Sequence, residues 1–248
     1  MQAICKVPVS PMRAGSSHRT EMVSQLLFGE LVEILESTDD WVRIKSVTDN
    51  YEGWCQPAHI MVVNEKLVIN APVYASDWIN PVLVDEEIMW VPYGSRMDLI
   101  VQPPLKAEFF YRGNRLQPVE LTGSILLEYA MKYINTAYLW GGRSVFGVDC
   151  SGLSQQVFRM AGISIPRDAW QQALQGETVG ILEEAQAGDL AFFDNEEGRI
   201  THVGILISEQ AIIHSSGTVR IDVIDDKGII HSDTGKRTHK LHSIRRFL

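Results

Sequence analysis

The chain has 248 residues, of which 45% are hydrophobic and 21% are charged, and its formal net charge at pH 7 is −9. This composition is that of an ordinary globular protein, and the length allows one large domain or two to three small ones. The negative charge argues against a nucleic-acid-binding protein and gives no support for anchoring to a polyanionic wall or a membrane. We therefore expect neither nucleic acid nor membrane as a partner.

The first residues, Met1 to Lys6, contain neither the charged nor the apolar segment of a signal peptide. We therefore expect a cytoplasmic protein, with a periplasmic or secreted location as the alternative if a leader was removed. The three cysteines, Cys5, Cys55 and Cys150, show neither a disulfide framework nor metal-type spacing. An odd number suits free thiols in a reducing compartment, and we expect Cys5 and Cys55 to be small apolar core residues.

Residues 1–120 show the pattern of short β-strands. Apolar residues alternate with polar ones in Val32–Ile34 and Val42–Ile44, and turn-forming clusters separate such segments. Short strands at this spacing predict small barrels. Because the pattern is weakly repeated, we predict two barrels, at 1–62 and 63–120, the boundary of the second being the less well defined.

Beyond residue 121 the pattern changes to helices followed by strands. Apolar residues at i, i+3, i+4 and i+7 in Leu126–Tyr133 predict one helix, and Asp149 and Asp168 are natural N-caps for two more. Strands are then predicted at Asp189–Phe193, His202–Ile207, Ala211–Ser215, Val219–Ile224 and Leu241–Phe247. Helices followed by consecutive strands are typical of an α+β domain with an antiparallel sheet, here at 121–248.

One cysteine lies where a glycine-rich segment meets a helix. The segment Trp140–Gly142 is followed at 149–151 by Asp-Cys-Ser, and Cys150 begins a predicted helix that stops at Gly162. The helix dipole and the free backbone N–H groups at such a position favour thiolate over thiol. We therefore predict Cys150 as a nucleophile.

Two histidines can supply the base that a cysteine nucleophile needs. His202 begins one predicted strand and His214 ends the next. The hairpin between them can be centred on Glu209 or on Ser208. A centre at Ser208 places the histidines directly opposite on one face, with Cβ atoms about 5 Å apart, whereas a half-residue displacement puts them on opposite faces. We predict His202 as the base, His214 as the group that orients it, and backbone N–H groups near Cys150 and Ser151 as the oxyanion site.

These residue types also have ordinary uses. A lone cysteine is more often structural than catalytic, and a lone histidine at a strand start is usually just polar. Zinc is a competing use, but one cysteine and two histidines without CxxC or HxxxH spacing do not favour it, so we expect no metal and no cofactor. Surface or packing roles are expected for the other histidines, namely His18, His59, His231, His239 and His242.

Residues 121–248 resemble the NlpC-type cysteine peptidases of bacterial cell-wall metabolism. The resemblance rests on Tyr138-x-Trp140-Gly141-Gly142, Asp149-Cys150-Ser151-Gly152, Ile165-Pro166-Arg167-Asp168, Gly188-Asp189-Leu190, His202-Val203-Gly204-Ile205 and His214. It implies a papain-like domain with a Cys-His-His triad at Cys150, His202 and His214. The implied reaction is hydrolysis of the γ-D-glutamyl bond to a diamino acid in peptidoglycan stem peptides, with lysine and diaminopimelate left open.

The first 62 residues resemble bacterial Src-homology-3-like domains, whereas 63–120 match only in outline. The pattern comprises Ser10-Pro11-Met12-Arg13, Glu21–Gln25, Leu27–Glu30, Asp40-Trp41 and Tyr51–Trp54. The expected architecture is therefore an α+β, papain-like catalytic domain preceded by two small SH3-like β-barrels. This pairing resembles a branch that cleaves murein tripeptides or tetrapeptides with a free N-terminal L-Ala and releases L-Ala-D-Glu.

The same branch implies which side chains bind the substrate amine. An acid and a tyrosine of the first barrel read this amine in the branch, and Glu21 and Tyr51 match them. Asp149 contributes from the peptidase side. A surface carboxylate and a barrel-packing aromatic are the alternative roles of Glu21 and Tyr51.

The D-Glu residue is expected to lie against Tyr138 and Trp140, with Ser151 and Arg143 as candidates for its α-carboxylate. One position departs from the family pattern, because Ala169 stands where relatives often have serine. If that hydroxyl helps to hold the carboxylate, then Trp170, Ser151 or Arg167 must compensate, or affinity falls.

Two other functions are compatible with the pattern. One is a catalytically silent wall-binding module, which the intact triad disfavours. The other is a related amidase or acyltransferase on a papain-like core, against which the N-terminal barrel and Glu21 favour a peptide substrate. The sequence leaves the oligomeric state open.

Overall fold

The computed structural model of the chain describes residues 1–63, 67, 71–102, 105, 109–117 and 121–248. Contacts between residues divide the chain into two compact units. The N-terminal unit holds Met1–Pro118 together with Trp140–Phe146, and the C-terminal unit holds Val119–Leu139 together with Gly147–Leu248. No helix within the described residues is long and apolar enough to cross a membrane.

The first part of the N-terminal unit is an antiparallel sheet. Its strands are β1 (Gln2–Cys5), β2 (Val9–Arg13), β3 (Met22–Leu27), β4 (Leu31–Ser37), β5 (Val42–Ser46), β6 (Glu52–Cys55) and, after a 3-10 helix at Pro57–His59, β7 (Ile60–Val63). Their spatial order is β3-β2-β6-β5-β4-β1-β7. β5 buries Val42, Ile44 and Ser46, so the predicted alternation is present. Cys5 and Cys55 lie in the core, as expected.

The second part of the N-terminal unit contains shorter strands. They are β8 (Tyr74–Ala75), β9 (Ile79–Val84), β10 (Glu87–Pro92), β11 (Phe109–Tyr111), β12 (Arg115–Leu116) and β13 (Arg143–Ser144). β9 pairs with β10 and β11, and β8 pairs with β12. Phe28 of the first part belongs to the same apolar cluster as Val82 and Phe109. The predicted boundary at 62–63 therefore crosses a shared core, and the boundary at 120 lies outside the described residues, so the two-barrel division stays a prediction.

The C-terminal unit begins with the predicted helices. They are α1 (Gly123–Met131), α2 (Cys150–Met160), which the short strand β14 (Gly147–Val148) precedes, and α3 (Ala169–Gln172). The hydroxyl oxygen of Thr122 caps α1 by accepting a hydrogen bond from the backbone N–H of Ile125. Gly162 follows α2 with φ +89°, a conformation that favours glycine and ends the helix where predicted.

The rest of the C-terminal unit is an antiparallel sheet. Its strands are β15 (Glu177–Val179), β16 (Leu190–Asp194), β17 (Ile200–Ser208), β18 (Ala211–Ser216), β19 (Thr218–Asp225), β20 (Gly228–Ile230) and β21 (Arg237–Arg246), with a 3-10 helix at Leu182–Glu184. The order is β15-β21-β16-β17-β18-β19-β20, and β21 also pairs with β20. Because β21 pairs with both β16 and β20, the strands from β16 to β21 close into a barrel.

Two strands of this barrel differ from the sequence prediction. β20 was not predicted, because three residues are too few to show a period. β21 begins at Arg237 rather than at Leu241, since the polar residues before Leu241 carry no apolar alternation. Their backbone nevertheless pairs with β20, which places Gly228 opposite Lys240 and Ile229 opposite His239.

Substituting Gly29 by alanine is expected to destabilise the N-terminal unit. Gly29 has φ +78°, and a Cβ there would lie 1.9 Å from the backbone oxygen of Arg96. Gly198 has φ +75° with no atom within 4 Å of such a Cβ, so Gly198→Ala measures the backbone strain alone, about 1–2 kcal/mol. In urea unfolding, Gly29→Ala should lose about 1–3 kcal/mol more than Gly198→Ala. Equal losses would contradict the clash.

Candidate active site

Cys150 is the first residue of α2 and lies in the C-terminal unit. Asp149 caps the helix as predicted, because its Oδ1 accepts a hydrogen bond from the backbone N–H of Gly152 at 2.6 Å. Cys150 is buried, and its sulfur is hydrogen-bonded to the backbone of Val203. Since Val203 follows His202 in β17, the thiol lies beside the strand that carries the predicted base.

Burial decides the protonation state of this thiol. It raises the pKa of Cys150 to about 12, and the charge of Asp149 acts in the same direction, against the hydrogen bonds from the backbone. The backbone hydrogen bond at the helix start does lower the pKa, in the predicted direction, but desolvation of a charged sulfur outweighs it in the free protein. At neutral pH Cys150 is a thiol, and it needs a base to become a nucleophile.

Strands β17 and β18 bring the two predicted histidines together. Gly204, and not His202, lies directly opposite His214, and a register shift follows between Leu206 and Ser208. These pairs are centred on Glu209, one of the two predicted centres, so the directly opposed histidines expected for a centre at Ser208 are not present. The histidines still share a face, because His202 and Gly204 are two residues apart along the strand. Nε2 of His202 lies 2.8 Å from Nδ1 of His214.

Gly204 leaves the space that this diagonal contact uses. A Cβ at Gly204 would lie 2.9 Å from the Cβ of His214 and 2.7 Å from Cδ1 of Ile212. Glycine at this position therefore leaves room for the side chains of Ile212 and His214 of β18. The glycine of the His-Val-Gly-Ile motif is thus explained by packing beneath the histidine pair.

Asp222 of β19 extends the pair and was missed at the sequence level. Its Oδ2 lies 3.0 Å from Nε2 of His214, and its carboxylate accepts hydrogen bonds from the guanidinium of Arg220. A signal was present in the sequence, because Asp222 is a charged residue between the apolar Ile221 and Val223 within a predicted strand. The barrel buries Asp222 and leaves Ile221 and Val223 exposed, the reverse of what hydrophobicity predicts.

Burial keeps both histidines of the pair uncharged at neutral pH. It lowers the pKa of His202 well below its usual value, and the neighbouring His239 and His214 add to the effect. It also lowers the pKa of His214, although the hydrogen bond to Asp222 opposes this. For Asp222, burial alone would raise the pKa, but hydrogen bonds from the backbone of Ser232, from Arg220 and from His214 hold it well below its usual range. Asp222 is therefore a carboxylate.

His239 of β21 packs on the predicted base. Its ring is stacked on that of His202, with centroids 4.1 Å apart and an interplanar angle of 24°. Burial lowers the pKa of His239 to about 4, so this ring is also neutral at pH 7. The packing role expected for His239 is present, and the side chain that it packs on is a predicted catalytic residue.

A polar cavity of about 310 Å³ opens beside His202 in the C-terminal unit. It is lined by Tyr138, Thr201, His202, Ser215, Ser216, Gly217 and His239. Burial raises the pKa of Tyr138 to about 12, and the nearby Cys150 and Asp149 add to this effect. Tyr138 is therefore a hydroxyl donor close to the predicted nucleophile.

A buried ion pair holds the start of α2. Arg167 donates from Nη1 to Oδ1 of Asp149 at 3.0 Å and from Nη2 to Oδ2 at 2.6 Å. Its Nη1 also donates to Oγ of Ser151 at 2.9 Å. The predicted substrate ligands Asp149 and Ser151 therefore share one guanidinium, and their contacts with substrate stay a prediction.

The segment after α2 completes this cluster. Nε2 of Gln172 donates to the backbone oxygens of Ser151 and Pro166 at 3.1 and 2.8 Å, a contact that sequence reasoning missed. Ala169 is buried at the start of α3, whereas Trp170 is exposed. Of the groups named to compensate for the missing serine, Ser151 and Arg167 are thus bonded to each other, and Trp170 is open to solvent.

The other predicted substrate residues, Glu21, Tyr51, Trp140 and Arg143, belong to the N-terminal unit. Oε1 of Glu21 accepts a hydrogen bond from Nε1 of Trp140 at 2.6 Å, and Tyr51 packs against the barrel core. Arg143 is buried and donates to the two carboxylate oxygens of Glu30 at 3.0 and 3.1 Å. This pairing engages the guanidinium of Arg143, and its predicted contact with the carboxylate of D-Glu stays a prediction. The predicted contacts of Glu21, Tyr51 and Trp140 with substrate also stay predictions.

Within the described residues, no group of three or more His, Cys, Asp or Glu side chains has the arrangement of a metal site.

Two segments of the chain match known protein families. Residues 135–238 match the NlpC/P60 family. The C-terminal half contains an NlpC/P60 domain. Residues 12–60 match the bacterial dipeptidyl-peptidase SH3 domain, so the resemblance found in the sequence is confirmed for both parts.

Relatives match most of the chain. A γ-D-glutamyl-L-lysine dipeptidyl-peptidase of Bacillus subtilis is 29% identical over 79% of this chain and 72% of that protein. One of Bacillus cereus with the same name is 25% identical over 90% of this chain and 77% of that protein. The crystal structure of an NlpC/P60 family protein from Bacillus cereus covers all of both chains with a TM-score of 0.79 at 20% identity, which shows a common fold.

Removing the guanidinium of Arg167 is expected to destabilise the NlpC/P60 domain strongly. Arg167→Met would leave the buried carboxylate of Asp149 without its ion-pair partner, which costs about 3–5 kcal/mol. Arg199, which is exposed together with its partner Glu197, supplies the control, because Arg199→Met should change stability by no more than about 0.5 kcal/mol. Chemical unfolding of the two variants measures the difference. A loss of under about 1 kcal/mol for Arg167→Met would contradict this role.

Proposed function

We propose that this chain is a cysteine peptidase that hydrolyses the γ-D-glutamyl bond to the diamino acid of peptidoglycan stem peptides. The substrate carries a free N-terminal L-Ala, and the released product is L-Ala-D-Glu. The observation that carries the proposal is the buried pair of His202 and His214 in an NlpC/P60 domain, with Cys150 at a helix start beside the strand of His202. The names of the relatives favour L-lysine as the diamino acid.

The reaction begins from a neutral pair. Because burial raises the pKa of Cys150 and lowers that of His202, the resting groups are a thiol and an uncharged imidazole. His202 takes the thiol proton as the sulfur attacks the γ-carbonyl carbon of D-Glu, and the carbonyl electron pair moves to oxygen. Backbone N–H groups at the start of α2 and the hydroxyl of Tyr138 can donate hydrogen bonds to that oxygen.

The intermediate then collapses towards products. The C–N bond breaks, and the imidazolium of His202 protonates the leaving amine of the diamino acid. Water, deprotonated by His202, attacks the thioester that remains. The C–S bond breaks, the proton held by His202 returns to the sulfur, and the released acid loses its remaining proton to water, so that thiol and imidazole are restored.

The fold detail that we propose is papain-like. In that arrangement, a cysteine at the start of a helix faces a histidine on an antiparallel sheet, and a third polar group orients the histidine. The positions of Cys150 on α2, His202 on β17 and His214 on β18 support it.

Substrate binding by Glu21, Tyr51 and Asp149 is part of the proposal. The ammonium group of L-Ala needs carboxylate partners once it is removed from water. Ser151, with Arg167, remains a candidate for the α-carboxylate of D-Glu, and Tyr138 and Trp140 for the body of that residue. A cytoplasmic location, with a role in recycling murein peptides, is also proposed.

Replacing Cys150 by alanine is expected to abolish hydrolysis of L-Ala-γ-D-Glu-L-Lys. Loss of the nucleophile lowers kcat by about 10⁴-fold or more, because the remaining groups cannot form the thioester. Cys55→Ala is the matched control, since Cys55 is also buried but lies in the N-terminal unit. Release of L-Ala-D-Glu, followed by chromatography, measures both variants. Activity retained by Cys150→Ala would overturn the mechanism.

Acetylating the N-terminus of the substrate is expected to suppress cleavage. The acetyl group removes the positive charge and adds bulk, and a site that binds a polar group rejects an analogue without it by about 10²-fold or more. The measurement compares kcat/KM for the free and the acetylated tripeptide. Glu21→Gln should reduce the difference if this carboxylate binds the amine. Equal cleavage of the two peptides would show that the amine is not recognised.

The rate of hydrolysis is expected to stay high below the usual titration range of histidine. His202 acts as an uncharged base, and burial lowers its pKa well below 6.5. Activity is therefore present above that lowered pKa and is lost as the pH falls through it. A profile of kcat/KM against pH, with circular dichroism at each point, should show an acid limb centred well below pH 6.5. A limb centred at or above pH 6.5 in folded protein would contradict it.

A further inference from the structure

A line of buried hydrogen-bonding groups runs across three strands of the C-terminal barrel. Nε2 of His202 on β17 lies 2.8 Å from Nδ1 of His214 on β18, and Nε2 of His214 lies 3.0 Å from Oδ2 of Asp222 on β19. All three side chains are buried. Each imidazole is therefore restricted to the partners that the barrel provides.

The ring nitrogens that carry protons can be assigned by starting from Asp222. An ionised carboxylate only accepts hydrogen bonds, so Nε2 of His214 must carry a proton and donate it to Asp222. In a neutral imidazole the other nitrogen, Nδ1 of His214, is then an acceptor. Nε2 of His202 must donate to it, which leaves Nδ1 of His202 without a proton.

We propose that Asp222 is a positioning residue that selects the tautomer of the base, so that Nδ1 of His202 is free to take the proton of Cys150. Only the role of His202 as a base rests on the proposed function. The tautomers themselves follow from the hydrogen bonds. When His202 becomes an imidazolium, its Nε2 proton stays on the bond to His214, and the charge of Asp222 stabilises the cation from the far end.

The surroundings of Asp222 fix its orientation. Oδ1 accepts hydrogen bonds from the backbone N–H of Ser232 at 2.8 Å and from Nη2 of Arg220 at 3.0 Å. Nε of Arg220 donates to both oxygens, at 3.1 and 3.0 Å. The titratable groups beside this cluster include Asp233, which pairs with Arg220 at 2.9 Å, and His231. They also include His239, whose ring is stacked on that of His202.

These hydrogen bonds make Asp222→Asn a direct test of the tautomer assignment. The donors around Oδ1 will hold the amide oxygen of asparagine there, so the amide NH₂ group will face Nε2 of His214. That nitrogen must then accept, which moves the proton of His214 to Nδ1. Nε2 of His202 must accept in turn, and Nδ1 of His202 becomes protonated and blocked as a base.

The kinetic experiment compares Asp222→Asn with Asp225→Asn on the tripeptide substrate. Asp225 lies on the same strand and is held by an arginine in the same way, through bonds from Arg237 at 2.6 Å, but it is remote from the histidines along β19. Asp222→Asn should lower kcat by about 10²- to 10⁴-fold with little change in KM, the size of effect that a wrong tautomer produces. Asp225→Asn should retain full activity. Equal activity of the two variants would overturn the proposal.

The second measurement is ¹⁵N NMR of histidine-labelled protein, which reads the protonation of each ring nitrogen. In the unmodified protein at pH 7, His202 and His214 should both be protonated at Nε2. In Asp222→Asn, both should be protonated at Nδ1. Protonation of Nδ1 of His214 in the unmodified protein would overturn the proposal, whether or not the asparagine variant folds. Loss of activity in a variant whose His202 keeps its Nε2 proton would also overturn it.

These readouts separate the two proposals. If the unmodified protein shows the expected tautomers but does not cleave the tripeptide, the proposed function fails and the tautomer assignment stands. If it cleaves the tripeptide and Asp222→Asn cleaves it equally well, the positioning role fails and the proposed function stands.

Discussion

The contact between His202 and His214 requires two imidazole rings to be buried side by side without charge. The rings are kept neutral by desolvation, because a charged imidazole in this interior would lose its hydration and repel its neighbour. Burial in turn requires that each ring nitrogen has a partner. Asp222 meets this requirement at one end, and its own charge is balanced by Arg220.

The geometry of this line depends on a repeated diagonal. Gly204 lies directly opposite His214, and His202 lies two residues away on the same strand. On the next pair of strands, Arg220 lies directly opposite His214, and Asp222 again lies two residues away. The three buried groups therefore cross the barrel at an angle. The register of β17, β18 and β19 must hold for all of them at once, since a shift of one residue would turn a side chain to the other face.

At the start of α2, the charge of Asp149 lies beside the Cys150 thiol and is balanced by Arg167. The carboxylate of Asp149 caps the helix, but its charge also opposes ionisation of Cys150. Arg167 compensates that charge through two hydrogen bonds. A thiol that stays protonated until a base removes its proton is compatible with a pair of neutral histidines. In the free protein, burial therefore disfavours the charged forms of both Cys150 and His202.

Many features of the secondary structure depend on neighbouring residues and were therefore visible in the sequence. The caps of the helices, the helix that begins at Cys150, the pattern of strands and the motifs around both histidines depend on neighbouring residues, so they could be predicted. The strand register, the contact with Asp222, the stacking of His239 and the pKa of Cys150 depend on residues distant in the chain.

The segment Trp140–Phe146 belongs to the N-terminal unit although the sequence placed it in the catalytic domain, because the partners of Arg143 and Trp140 lie more than a hundred residues earlier. The sequence by itself determined which residue types are present and where the capped helices at Cys150 and Ala169 begin. Only the tertiary structure decided which residues are buried together, since burial and pairing arise from contacts that no local pattern encodes.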